Sequence, residues 1–142
     1  MRVRAGVLED VISHARAAAP AECCGVLLGR AGELVESVRA RNLSDDPSRF
    51  LIDPKDHFDA RRRASSRGLD VVGFYHSHPH SAPLPSPTDV AEAAYPDHLC
   101  LIVGLHAEPP ETRLFQMKPD GFIEVSVDDT RDRVCRRAAS EL

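Results

Sequence analysis

The residues best suited to chemistry fall between His76 and Asp89. In His76-Ser77-His78, two imidazoles flank a serine. On an extended backbone, side chains two apart leave the same face with their Cα atoms about 6.5–7 Å apart. Both rings could then reach a single ion, since zinc–nitrogen bonds need only ~2.0–2.1 Å each. Ser77 would point the other way. Asp89 is brought back by a stretch holding Pro79, Pro83, Pro85 and Pro87, and would add a carboxylate as third ligand. Two histidines and one carboxylate leave a position open for water, as in a catalytic rather than a structural zinc site. The same donors also suit a mononuclear iron enzyme with a facial triad. Ser86-Pro87-Thr88-Asp89 reads equally as a capping box with proline at the first helical position. The two uses are compatible, because a helix N-terminus can present residues to a site. With 7 His in the chain, His-Ser-His followed by Ser86 and Asp89 at these offsets would arise by chance on the order of 0.002 times per chain.

These residues need a scaffold, and the hydrophobic pattern predicts one. Val7, Leu8, Val11, Ile12 and Ala15 recur at helical spacing up to Pro20. Cys24 to Gly29 is an apolar run that reads as a buried strand. A hairpin turn at Ala31-Gly32-Glu33 leads to a second strand through Leu34, Glu36, Val38 and Ala40. A polar loop from Asn42 to Arg49 and a short extended Phe50-Leu51-Ile52 follow. Asp53-Pro54 then starts a helix running to about Arg67, with Phe58 on one side and Arg61, Arg62, Arg63 and Arg67 mainly on others. That arginine run reads first as a solvated face and second as a contact for an acidic partner.

Asp70 to His76 is dense in β-formers and predicts a central strand. A proline-rich loop and a third helix, roughly Pro87 to Ala94, come next. Leu99 to Val103 predicts another buried strand. Thr112 to Val127 reads as a hairpin turning at Lys118-Pro119-Asp120-Gly121, and the residues from Asp129 as a polar helix or a frayed tail. Strands and three helices interleave along the whole chain, so the expected architecture is α/β, a mixed sheet with helices on both faces.

The 142 residues suit one domain, 1–142, with a possible frayed tail over 129–142. The net charge of −4 argues against a nucleic-acid binder, whose affinity comes largely from neutralising phosphates. No apolar run approaches the ~20 residues of a membrane span, and Glu9, Asp10 and His14 interrupt any signal-peptide core, so the expected compartment is the cytoplasm. Cys23, Cys24, Cys100 and Cys135 form no C-x-x-C pair and read as reduced, mostly buried thiols. His14, His57, His98 and His106 show no informative spacing, and His80, in the loop near the expected metal, reads first as exposed and second as a substrate contact.

The His-Ser-His, seven residues, Ser86, two residues, Asp89 pattern resembles the JAMM (MPN+) motif of the JAB-domain metalloproteases. Gly73 to Pro79 looks like that family's strand and its exit. Pro20-Ala21-Glu22-Cys23-Cys24-Gly25-Val26-Leu27-Leu28-Gly29 looks like its glutamate-bearing strand. The resemblance implies a three-layer α/β/α sandwich, cytidine-deaminase-like, around a mixed, mainly antiparallel sheet. It implies Zn2+ on His76, His78 and Asp89, Glu22 as general base and then acid, and Ser86 as oxyanion donor. The implied reaction is hydrolysis of an amide bond after the C-terminal tail of a ubiquitin-like or sulfur-carrier protein, the tail held as an added strand beside the active-site sheet. The compact chain is most similar to stand-alone prokaryotic members. A catalytically silent binding module of the same fold is the alternative the resemblance leaves open.

Overall fold

A computed structural model describes residues 1–91 and 95–129. In chain order the elements are β1 (Arg2–Val3), α1 (Val7–Ala18), β2 (Cys24–Arg30), β3 (Glu33–Ala40), α2 (Pro54–Ser66), β4 (Asp70–His78), α3 (Pro87–Ala91), β5 (Leu99–Gly104), β6 (Glu111–Lys118), β7 (Gly121–Val125) and β8 (Asp128–Asp129). The strands form one sheet in the order β7-β6-β5-β4-β2-β3-β1-β8. Pairing is antiparallel for β2–β3, β2–β4, β5–β6 and β6–β7, and parallel for β4–β5, β1–β3 and β1–β8.

Period-two alternation deals each central strand's side chains to two layers. Leu27, Tyr75, Leu101 and Val103 face α1, where Val7, Val11 and Ala15 complete the cluster. Val26, Leu28, Phe74, Cys100 and Ile102 face α2, packed by Ala60 and Ala64. Burying each large aliphatic side chain contributes roughly 1.5–3 kcal/mol, so the sheet centre is the most strongly held part of the molecule. This is the α/β/α sandwich expected from the sequence.

The hairpins, α1 and α2 fall where the pattern placed them. β4 runs two residues further than the β-former density suggested, through His78, because Ser77 and His78 pair with Val103 and Gly104 of β5. Phe58 is exposed, with the Arg62 guanidinium 6.0 Å from its ring centre. α2 meets the sheet through its alanines, small enough to let the helix lie close. Arg63 and Arg67 both pair with Glu36 of β3, so part of the arginine run is tied down. β1 and β8 were not anticipated; two-residue strands carry no readable period. Asp129 belongs to β8, not to a tail. The expected continuation of α3 over 92–94, the tail over 130–142 and Cys135 lie outside the described residues. Cys23, Cys24 and Cys100 are buried free thiols, and burial pushes Cys24 up to about 12. No helix among the described residues is long and apolar enough to cross a membrane.

β4 is flanked by β2 and β5, so a substrate tail held as an added strand would pair elsewhere beside the sheet. The loop over the site contains a short extended segment, where Ile52 bridges Asn42.

Candidate metal centre

His76 and His78 leave β4 on its α2 side, as the alternation requires, and are 1% and 7% exposed. Asp89 comes from α3. Its Oδ2 lies 3.3 Å from His76 Nε2 and 3.2 Å from His78 Nε2, and the two Nε2 atoms are 3.2 Å apart. Three ligand atoms thus form a near-equilateral triangle. Bonds of ~2.0–2.1 Å at tetrahedral angles separate ligand atoms by about 3.3–3.4 Å, so the triangle fits one face of a zinc-sized tetrahedron. Among the described residues, these three are the group of histidine, cysteine and acidic side chains whose ligand atoms converge in this way.

Neighbouring groups fix which nitrogen points inward. His78 Nδ1 lies 2.9 Å from the Ala82 carbonyl, so that nitrogen carries the proton and donates, leaving the Nε2 lone pair free. His76 Nδ1 faces Cys100 Sγ at 3.9 Å. Gly104 makes the first of these contacts possible. A Cβ there would lie 2.7 Å from Pro83 Cδ and 2.9 Å from the Ser81 carbonyl, so only glycine lets the proline loop fold close enough to place Ala82.

The capping box and the convergent carboxylate are the same residues. Ser86 N–H donates to Asp89 Oδ2 (2.8 Å), and Asp89 N–H donates to Ser86 Oγ (3.0 Å). The cap therefore orients Asp89 toward the histidines and leaves the Ser86 hydroxyl proton uncommitted to it.

Charge in this buried space is strongly coupled. Burial acts to raise Asp89, but hydrogen bonds with His76 and His78 outweigh it and hold the carboxyl well below the usual range. Burial dominates at His76 and lowers it. At His78 burial also acts downward, yet the bonds to Asp89 and the Ala82 carbonyl, with the charges of Asp89 and Glu22, raise it.

Glu22 is 7% exposed and lies two residues before Cys24, which pairs with His76. Ser77 continues that register. Its Oγ accepts from Cys23 N–H (2.9 Å), and its N–H donates to the Cys23 carbonyl (3.2 Å), which places Glu22 beside His78. The central serine of His-Ser-His thus stitches the glutamate-bearing segment to the histidine strand. Glu22 is not one of the three convergent donors.

Sequence reasoning missed what surrounds these residues. Phe50 stacks on His76, with ring centres 4.4 Å apart and planes 19° apart. A cavity of about 610 Å³ opens beside His76 and Asp89, lined by Phe50, Ile52, Phe74, Tyr95, Met117 and others. A lone phenylalanine at the end of a polar loop was the available clue to a packing partner. His57, which lines the same cavity, sits edge-on to Phe74 at 5.3 Å, a contact its spacing could not show. His80 is exposed and stands outside the convergent group.

The sandwich is a JAB/MPN-type fold, and it carries a convergent His-His-Asp cluster able to hold a metal. Residues 4–118 match the family model described as prokaryotic homologs of the JAB domain, and the chain belongs to that family. It is 35% identical over 136 residues to the desampylase of Haloferax volcanii, covering 89% of this chain and 94% of that protein. It is 28% identical over 129 residues to the CysO-cysteine peptidase of Mycobacterium tuberculosis, covering 89% and 88%. A solution structure of a Desulfitobacterium hafniense protein superposes with a TM-score of 0.83 at 30% identity, covering 91% of this chain and 92% of that one.

Proposed function

We propose that the chain is a zinc-dependent isopeptidase, acting as a single domain in the cytoplasm, that hydrolyses the amide bond following the C-terminal tail of a ubiquitin-like protein. The observation that carries this reading is the triangle of His76, His78 and Asp89 at 3.2–3.3 Å with the buried Glu22 beside it. Its relatives, a desampylase and a CysO-cysteine peptidase by name, point to the same substrate class.

His76, His78 and Asp89 would hold Zn2+, with the Nδ1 contacts at Ala82 and Cys100 keeping both Nε2 atoms turned inward. Zinc, when bound, supplies a Lewis acid that brings the pKa of a coordinated water from 15.7 to about 7. Glu22 accepts the proton of the attacking water and returns it to the departing amine. Ser86 donates its hydroxyl proton to the oxygen that gains charge, since its cap bond uses Oγ only as an acceptor. Glycine-like residues at the end of a substrate tail would fit between Phe50 and the proline loop, and the adjoining cavity would take apolar groups.

The test pairs zinc quantification with cleavage of C-terminally extended ubiquitin-fold proteins. Wild type should bind one zinc and cleave at the tail. Glu22→Gln should bind zinc equally and lose turnover by about 10²–10⁴-fold, the range for a positioned acid–base group. Undiminished turnover in Glu22→Gln would remove that residue from the mechanism, and a zinc-loaded wild type that cleaves none of these fusions would leave only a binding module.

A further inference from the structure

Glu22 precedes β2 and has no place in the regular ladder, so something else must fix it. Both of its backbone polar groups bond to the loop between β3 and α2. Glu22 N–H donates to the Pro47 carbonyl (3.3 Å), and the Glu22 carbonyl accepts from Asn42 Nδ2 (3.0 Å). Asn42 is the knot of that loop. Its Nδ2 also donates to the Arg49 carbonyl (3.0 Å), and its Oδ1 accepts from Ser44 N–H (3.0 Å) and Leu51 N–H (2.9 Å). Two donor hydrogens and both oxygen lone pairs are thereby used, the full capacity of a side-chain amide. The loop so closed is the one that lays Phe50 on His76.

We propose that Asn42 is a positioning residue for the reaction: its amide fixes the loop spanning residues 42–52 and, through the Glu22 carbonyl, sets where the Glu22 carboxylate stands relative to the His76–His78–Asp89 cluster. The inference rests on the reading of Glu22 as the proton-transfer group, but its structural half stands apart from that reading. A single side chain that ties the loop to the base segment couples the roof over His76 to the base. An asparagine that merely closed its own loop would need the bonds to Ser44, Arg49 and Leu51, and not the one to Glu22.

Asn42→Asp removes both donated bonds, to Glu22 and to Arg49, so exchange at Glu22 itself is the readout that tests the tie. It keeps the two acceptor bonds and turns a carboxylate oxygen toward the carbonyls of Glu22 and Arg49. Ser48→Ala is the control, since it removes only a bond inside the loop, from Ser48 Oγ to Asp46 Oδ1. In zinc-loaded Asn42→Asp, backbone amide exchange at Glu22 should rise by at least about tenfold, as local opening becomes easier, while amides of β4 are unchanged. Turnover should fall by about 10²-fold with KM nearly constant and zinc stoichiometry retained, the scale expected for a misplaced catalytic group. Ser48→Ala should change neither. The proposal is overturned if Glu22 exchange in Asn42→Asp matches wild type, or if zinc is lost in step with activity. Should Asn42→Asp not fold, exchange in the wild type decides: Glu22, Ser44 and Leu51 must open with one common free energy, and separate openings contradict the coupling. If wild type cleaves none of the ubiquitin-fold fusions, the proposed activity fails while the exchange measurements still report on the strap.

Discussion

The two faces of β4 put one strand to opposite uses. Toward α1 it sends Tyr75 and Ser77. Tyr75 is fully buried, its hydroxyl 2.7 Å from His14 Nδ1, and its ring occupies the space where a Cβ on Gly25 would fall, at 2.1 Å. Ser77 is spent on Cys23. Among the described residues no buried side-chain nitrogen or oxygen there lacks a partner, and a 12-residue helix closes the layer. Toward α2 the same strand sends Phe74, His76 and His78. There the cover is a helix that touches through Ala60 and Ala64, a strapped loop and a short α3, with a cavity of about 610 Å³ between them. The histidines on this side turn their Nε2 atoms toward one another and toward Asp89, an arrangement suited to holding a cation. Buried polar groups that satisfy each other stabilise a fold; buried donors that converge on one point prepare a site.

The contrast is broken most sharply at Ser86. Its cap role and its proposed catalytic role predict different losses. Ser86→Ala should reduce turnover by about 10²–10³-fold, the cost of one oxyanion donor, and stability by only about 1 kcal/mol, the cost of one N-cap. Ser86→Thr should preserve most of both. Steady-state kinetics beside denaturant unfolding would tell the roles apart, and a Ser86→Ala enzyme with wild-type turnover would assign the residue to the helix alone.

A smaller effect tests the α1 face. Burial, helped by the charge of Arg39, lowers His14 below its ordinary value of 6.5. The unfolded chain therefore binds a proton that the folded one refuses. The associated stability is fully present above about pH 6.5 and is lost as pH falls through the lower folded value. His57 is lowered in the same way, by burial and then by Arg61 and His98, and adds to the same trend. His14→Gln, which can still meet the Tyr75 hydroxyl, should make unfolding free energy less dependent on pH between about 7 and 5, by less than one proton. Turnover at neutral pH should not change. An unchanged slope would mean that the imidazole is not held neutral on this face.

The parts of this molecule that were readable share a physical property: their information is local. Alternation in His76-Ser77-His78 fixed a common face, Ser86 and Asp89 announced a cap, and Asp53-Pro54 began α2, where Asp53 Oδ1 accepts from Lys55 N–H. The apolar runs at Cys24 and Leu99 marked central strands. What escaped was non-local. Nothing in a two-residue segment such as Arg2–Val3 reveals that it pairs with both β3 and β8. Asn42 looked like any polar loop residue, because its bond to Glu22 spans 20 positions. Phe50 gained its meaning only when the loop returned over His76. The central position of β4, which denies an incoming peptide an edge, is likewise a property of strand order rather than of composition. The motif identified the donors, and the tertiary structure supplied the roof and the strap.

The central claim is that one divalent cation sits on the α2 face of β4. Crystals of the zinc-loaded protein, measured on both sides of the zinc absorption edge, test it directly. The expected result is a single anomalous peak within about 2.0–2.2 Å of His76 Nε2, His78 Nε2 and an Asp89 carboxylate oxygen. A hydrolytically active preparation whose zinc peak lay elsewhere, with these three side chains empty, would contradict the account.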